Sequence, residues 1–160
     1  MELRPARPAD LDAVGALTVA AYEEFVGGPE EGYRDQLADA ARRYEEAELW
    51  VAVDGDALLG TVTACPPGSP WRELANDDEG EFRMLAVHPD ARGRGVGHAL
   101  ADLCERRARE QGATRMVLSS LPTMASAHRI YGRLGYTRAP ERDWSPDVDV
   151  HLVAFVKELP

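Results

Sequence analysis

The stretch that most constrains this chain runs from Glu81 to Gln111, where a strand, a glycine loop and a helix follow one another without interruption. Glu81-Phe82-Arg83-Met84-Leu85-Ala86-Val87 reads as a strand, and His88-Pro89 closes it because proline cannot donate to a sheet ladder. Val96 to Gln111 reads as a helix. Val96, Leu100, Leu103, Cys104 and Ala108 form an apolar face, Glu105, Arg106, Arg109 and Glu110 the opposite one, and Gly112 a stop. Between strand and helix lies Arg92-Gly93-Arg94-Gly95-Val96-Gly97. Glycine lets the backbone turn and approach a ligand with no Cβ in the way. The first helical turn leaves N–H groups unpaired, and together these make a cradle for phosphate oxygens. Arg92 and Arg94 add positive charge. A dinucleotide fingerprint needs G-x-G-x-x-G and an acidic residue after the next strand. Here the glycines stand at 93, 95 and 97, and the next strand ends in Ser119-Ser120-Leu121. The Gly-Lys-Ser/Thr run of a nucleotide P-loop is also missing.

The flanking segments extend this unit into a mixed sheet with helices on both faces. Leu3-Arg4 ends a short strand, Pro8-Ala9-Asp10 starts a helix with Leu11, Val14, Leu17, Ala21 and Phe25 inward, and Gly27-Gly28-Pro29 stops it. A second helix is expected from about 32 to 47, with Tyr33, Leu37, Ala40, Ala41 and Tyr44 inward and Arg42, Arg43, Glu45 and Glu46 nearer solvent. Leu49–Val53 and Leu58–Ala64 pair about the turn Asp54-Gly55-Asp56. Pro66 to Pro70 breaks the sheet, and an acidic loop leads into the strand at Glu81. Met116-Val117-Leu118 is a strand, Ala125–Leu134 a helix closed by Gly135, and Tyr136–Arg138 and Val148–Val156 are final strands.

Composition bounds the rest. A length of 160 residues suits one domain, and 44% hydrophobic with 29% charged residues is a globular balance. No apolar run is long enough to span a bilayer and the N-terminus lacks a signal-peptide stretch, which places the chain in the cytoplasm. A net charge of -10 repels phosphate backbones, so nucleic acid is disfavoured as a partner and cationic molecules are favoured. Cys65 and Cys104 show no metal or disulfide spacing and read as buried hydrophobes, and no metal site is expected.

Arg92-x-x-Gly95-x-Gly97 resembles the (Gln/Arg)-x-x-Gly-x-(Gly/Ala) signature of the GNAT (Gcn5-related) acetyltransferases. Leu85 to Pro89 resembles the end of that family's fourth strand, and Ala127 to Tyr136 resembles its A-x-x-x-Y-x-x-x-G-(Phe/Tyr) segment. Many relatives carry Asn where this chain has Met124. The resemblance implies an α/β fold whose mostly antiparallel sheet splays between strands 4 and 5. It implies acetyl-CoA as co-substrate, with its pantetheine arm against the backbone of Leu85, Ala86 and Val87. The pyrophosphate falls on Gly93, Arg94, Gly95, Val96, Gly97 and His98, beside Arg92, and the N–H of Leu85 is placed to bind the thioester oxygen. The implied reaction is direct attack of a primary amine in a ternary complex, with Tyr131 as the acid for the departing thiolate. Deprotonating the amine requires a base. Glu81 is the candidate, with a strand-start carboxylate beside Arg83 as its alternative. Alternation puts Glu81, Arg83, Leu85 and Val87 on one side of the strand before any bulge. The acceptor is expected to be a small-molecule or peptide amine, cationic, with a homodimer in keeping with the family. A non-catalytic acyl-CoA-binding regulator and a modifier of charged tRNA stand as the other readings. A Ser126/His128 nucleophile pair is discounted, since residues two apart on a helix face different ways.

Overall fold

The computed structural model describes residues 1–23 and 31–160, so Phe25 and the expected stop at Gly27-Gly28-Pro29 lie outside the described residues. Strand β1 (Glu2–Pro5) leads through a short 3-10 turn at Pro8–Asp10 into α1 (Leu11–Tyr22), α2 (Glu31–Ala38) and α3 (Ala40–Glu46). The antiparallel strands β2 (Glu48–Asp54), β3 (Ala57–Cys65) and β4 (Glu79–Val87) come next, then α4 (Val96–Glu110), β5 (Arg115–Ser120) and α5 (Ala125–Arg133). The chain closes with β6 (Thr137–Arg138), β7 (Trp144–Asp147) and β8 (Val150–Glu158). The sheet order is β1-β2-β3-β4-β5-β8-β6, with β7 paired to β8 beside this path. Only β4 and β5 run parallel among the described pairs, and their ladder covers Glu79–Glu81 against Arg115–Val117. Beyond Glu81 the two strands part, which is the expected splay.

Helices cover both faces. The α4 side buries Leu100, Ala101 and Cys104 against Val62, Phe82, Leu85, Leu118, Tyr131 and Phe155. The other side packs Leu17, Tyr22 and Leu37 against Cys65, Trp71, Met84, Ala86 and Met124. Helix α4 sits close on the sheet because Gly80 has no side chain: a Cβ there would lie 2.5 Å from Ala108 Cβ and 2.7 Å from Met116 Sδ. Burying a leucine as fully as Leu100 makes its truncation to alanine cost about 2–5 kcal/mol. Among the described residues no helix is long and apolar enough to cross a membrane.

Four expectations change. The single helix from 32 to 47 is two helices, because Asp39 leaves helical geometry and its carboxylate caps α3 by accepting from the Arg42 N–H at 3.1 Å. The break rotates the inward face: Tyr44 is exposed and Arg43 is fully buried, its guanidinium donating to the Gln36 carbonyl at 2.6 Å and so closing the end of α2. Glu105 of α4 is buried rather than solvated, accepting from Tyr136 Oη at 2.9 Å and pairing with Lys157 Nζ at 2.8 Å. Strand β7 is additional: it holds Pro146 and, among the described residues, pairs only with β8, so its sequence carries little strand signal.

Candidate active site

Strand β4 does not alternate simply. Its register against β3 shifts between Thr61 and Thr63, opposite Ala86 and Arg83, and Met84 has φ 55°. This bulge puts an extra residue into β4 and reverses the facing of the residues after it. Glu81, whose partner is Cys65, faces the α1–α3 side with Arg83, Met84 and Ala86, while Leu85 and Val87 face α4. The expectation that Glu81, Arg83, Leu85 and Val87 share one side is therefore corrected, and the bulge is the cause.

Two cavities open where β4 and β5 part. The first, of about 590 Å³, is lined by Leu85, Ala86, Val87, Arg92, Gly93, Gly95, Val96, Gly97 and His98. Gly93 and Gly95 both have φ 78°, in the left-handed region that residues with a Cβ avoid, and nothing stands within 4 Å of where their Cβ atoms would be. Gly95 caps α4, and its carbonyl takes the first helical bond from the Ala99 N–H at 3.0 Å. The amides of the first turn therefore have no partner within the helix and front the open cavity. An L-side chain at 93 or 95 would strain this bend, and the geometry fits a bound diphosphate. Arg94 departs from expectation. Its side chain turns to Asp54 at 3.4 Å, its N–H goes to the Ala91 carbonyl at 3.3 Å, and it does not line the cavity. Sequence reasoning missed the far wall, where Ala127, Arg129, Ile130 and Arg133 of α5 face the loop. The helical spacing of Arg129 and Arg133 was the available signal.

The second cavity, of about 880 Å³, lies on the α1–α3 side of β4 and includes Asp35, Asp39, Glu46, Trp71, Glu73, Arg83, Ser120 and Tyr131 in its wall. Tyr22 and Met124 line both cavities and mark where they meet. The Tyr22 hydroxyl donates to the Leu85 carbonyl at 3.4 Å. Tyr131 is 5% exposed and packed among Phe82, Tyr136, Phe155 and His128.

Glu81 lines neither cavity. It is 2% exposed, and its carboxylate accepts the N–H groups of Glu73 at 3.1 Å, Leu74 at 2.9 Å and Ala75 at 2.9 Å. Its oxygens are turned to the loop that walls the second cavity. The next shell holds the same loop: Glu79 accepts from the Asn76 N–H at 3.0 Å and from Arg142 Nη1 and Nη2 at 2.7 and 2.8 Å, while Arg142 also reaches the Leu74 carbonyl at 2.9 Å. Burial pushes the Glu79 carboxyl up, but Arg142, the Asn76 amide and Arg115 outweigh it and hold the group below its ordinary value. Glu73 is the reverse case: burial raises it, Arg83 opposes and Glu81 reinforces.

Ser120 and His128 form a pair that the sequence did not bring together. His128 Nε2 lies 3.2 Å from Ser120 Oγ and 3.1 Å from the Leu121 carbonyl oxygen. A carbonyl only accepts, so Nε2 carries the proton and cannot act as the base for that serine. Burial lowers the pKa of His128 and keeps it neutral. Cys65 and Cys104 are both buried, and burial pushes their thiols up, away from the reactive thiolate.

The site therefore combines a splayed α/β sheet with first-turn amides that front the cavity at the head of α4. The family model described as the acetyltransferase (GNAT) family matches residues 16–136, and the chain belongs to that family. It is 31% identical over 133 residues to human N-acetyltransferase 8B, covering 79% of this chain and 57% of that protein. It is 32% identical over 120 residues to mycothiol acetyltransferase of Geodermatophilus obscurus, covering 71% of this chain and 38% of the relative. The chain thus spans about half the length of the curated relatives it matches. An aminoglycoside 6'-N-acetyltransferase complexed with coenzyme A shares the fold with a TM-score of 0.69 at 17% identity, over 100% of this chain and 98% of that one.

Proposed function

We propose that this protein transfers an acetyl group from acetyl-CoA to a primary amine by direct attack, with no covalent enzyme intermediate. The observation that carries the reading is the meeting of the two cavities at Tyr22 and Met124, with an amide cradle at the outer end of one and a carboxylate-rich wall in the other. The neighbour of the same fold that holds coenzyme A supports it.

In this reading the N–H groups of Gly93 and Gly95 to His98 hold the pyrophosphate, with Arg92 beside them. Leu85, Ala86 and Val87 present backbone groups to the pantetheine arm, which lies where β4 has no β5 partner. The Leu85 N–H faces the thioester oxygen, where charge develops in the transition state. Tyr131 supplies a proton to the departing sulfur. Asp35, Asp39, Glu46 and Glu73, against Arg42 and Arg83, favour a cationic acceptor in the second cavity. The co-substrate, when bound, supplies the activated acyl group.

The test is release of free thiol from acetyl-CoA in the presence of a panel of diaminoalkanes, amino sugars and short peptides with free N-termini. Turnover with cationic amines is the expected result. Calorimetric binding of CoA without turnover on any amine would favour a non-catalytic binding module instead.

A further inference from the structure

We propose that Glu73, and not the strand carboxylate behind it, takes the proton from the incoming ammonium, and that Glu81 is the residue that positions it. This deepens the acyl-transfer reading above and rests on it.

Three observations converge on Glu73. Its side chain is 16% exposed and lines the cavity assigned to the acceptor, whereas Glu81 lines neither cavity. Its backbone is fixed from below, because both oxygens of Glu81 accept its N–H at 3.1 Å while the next two amides of the loop bond to the same carboxylate. Its carboxylate is fixed from the side by Arg83 Nε at 2.9 Å, and Arg83 is itself held over the Trp71 ring at 5.2 Å and against the Trp71 carbonyl at 3.4 Å. A carboxylate held at both ends within a reactant cavity is pre-oriented for proton transfer.

The charged surroundings suit that role. From β4, Arg83 and Glu81 face Glu73; the same cavity is lined by Asp35 of α2, Asp39 between the two helices, and Arg42 and Glu46 of α3. Arg72 precedes it and bonds to the Glu79 and Asn76 carbonyls, while Arg142 holds the carbonyl of Leu74. Burial raises the proton affinity of Glu73 above that of an ordinary carboxylate, with Arg83 opposing. A desolvated carboxylate is a stronger base toward an ammonium than one in water.

The protons and electrons of the step balance. The ammonium gives one proton to Glu73, directly or through a water. The freed nitrogen lone pair forms the N–C bond as the C–S bond breaks. Sulfur takes its proton from Tyr131 Oη, and the second proton lost by nitrogen restores the phenol. Glu73 releases its proton to solvent, so one proton leaves per turnover.

The experiment compares wild type, Glu73→Gln, Glu73→Asp and Glu81→Gln with 1,4-diaminobutane or the fastest amine of the panel, recording kcat/KM against pH and calorimetric affinity for CoA. Glu73→Gln should lower kcat/KM about 100-fold or more, abolish the acid limb of the profile and leave CoA affinity unchanged. Glu73→Asp should keep the acid limb at reduced rate. Glu81→Gln should cost less than Glu73→Gln while speeding hydrogen exchange at residues 73–75, the mark of a positioning residue. A Glu73→Gln protein with wild-type rate and an intact acid limb overturns the proposal, as does loss of that limb in Glu81→Gln alone. A wild type with no turnover on any amine sinks the acyl-transfer reading itself, and this inference with it.

Discussion

Replacing Arg142 by alanine probes the clamp on the loop that precedes β4. The substitution strips Glu79, whose side chain is 2% exposed, of two bonds at 2.7 and 2.8 Å and frees the Leu74 carbonyl. Removing one partner of a buried ion pair costs about 3–5 kcal/mol. Arg142 is itself 20% exposed and Arg115 remains 3.5 Å from Glu79, so the low end of that range, about 3 kcal/mol, applies here. At about 2–4 °C per kcal/mol for a chain of this size, the melting temperature should fall by about 6–12 °C at pH 7. The pH dependence has a definite sign. The folded Glu79 carboxyl lies below its ordinary 4.5, so its contribution is present above that value and is lost as pH falls through the folded pKa. Thermal melts monitored by circular dichroism should therefore show the gap between wild type and Arg142→Ala closing in acid. A loss of less than about 2 °C at pH 7, or a gap that widens on acidification, refutes the reasoning.

The glycine loop, His128 and the cysteines each set a further outcome. Gly95→Ala should cost about 1–2 kcal/mol by melting, since its left-handed φ and not any clash opposes a Cβ, and should weaken CoA binding. Gly97→Ala should leave stability unchanged, because its Cβ would meet Ile130 and Val87 at an ordinary 3.5 Å. Nitrogen NMR of His128 at neutral pH should report the neutral ring protonated at Nε2, as the Leu121 carbonyl demands; an Nδ1 tautomer contradicts the assigned contacts. Ellman's reagent should leave both cysteines untouched in the native protein and titrate two thiols in denaturant, given their burial.

What could be read from the sequence was local. The stripe Val96, Leu100, Leu103, Cys104 and Ala108 fixed α4, and glycines at 93 and 95 marked a bend that the structure holds at φ 78°. The splay could be read only through the family resemblance, since pairing partners leave no local trace. What escaped depended on distant partners. The positive φ of Met84 belongs to no residue preference and arises from register against β3, yet it decides which of Glu81 and Leu85 faces which side. Glu81 reads as a base candidate because it opens the strand where the family resemblance implies a catalytic carboxylate, and its surroundings could not be read from the sequence. Its three amide partners lie six to eight residues upstream, in a loop with no periodicity to read. Arg43 and Glu105 looked solvated because charge is the usual mark of an outer face, and only tertiary contacts bury them.

The most direct test is a crystal structure of the chain with acetyl-CoA. It should place the diphosphate within hydrogen-bonding distance of the amides at Gly93 and Gly95 to His98, and the thioester between Leu85 and Tyr131 where the two cavities join. A diphosphate seated elsewhere, with the bend at Gly95 touching solvent alone, would contradict it.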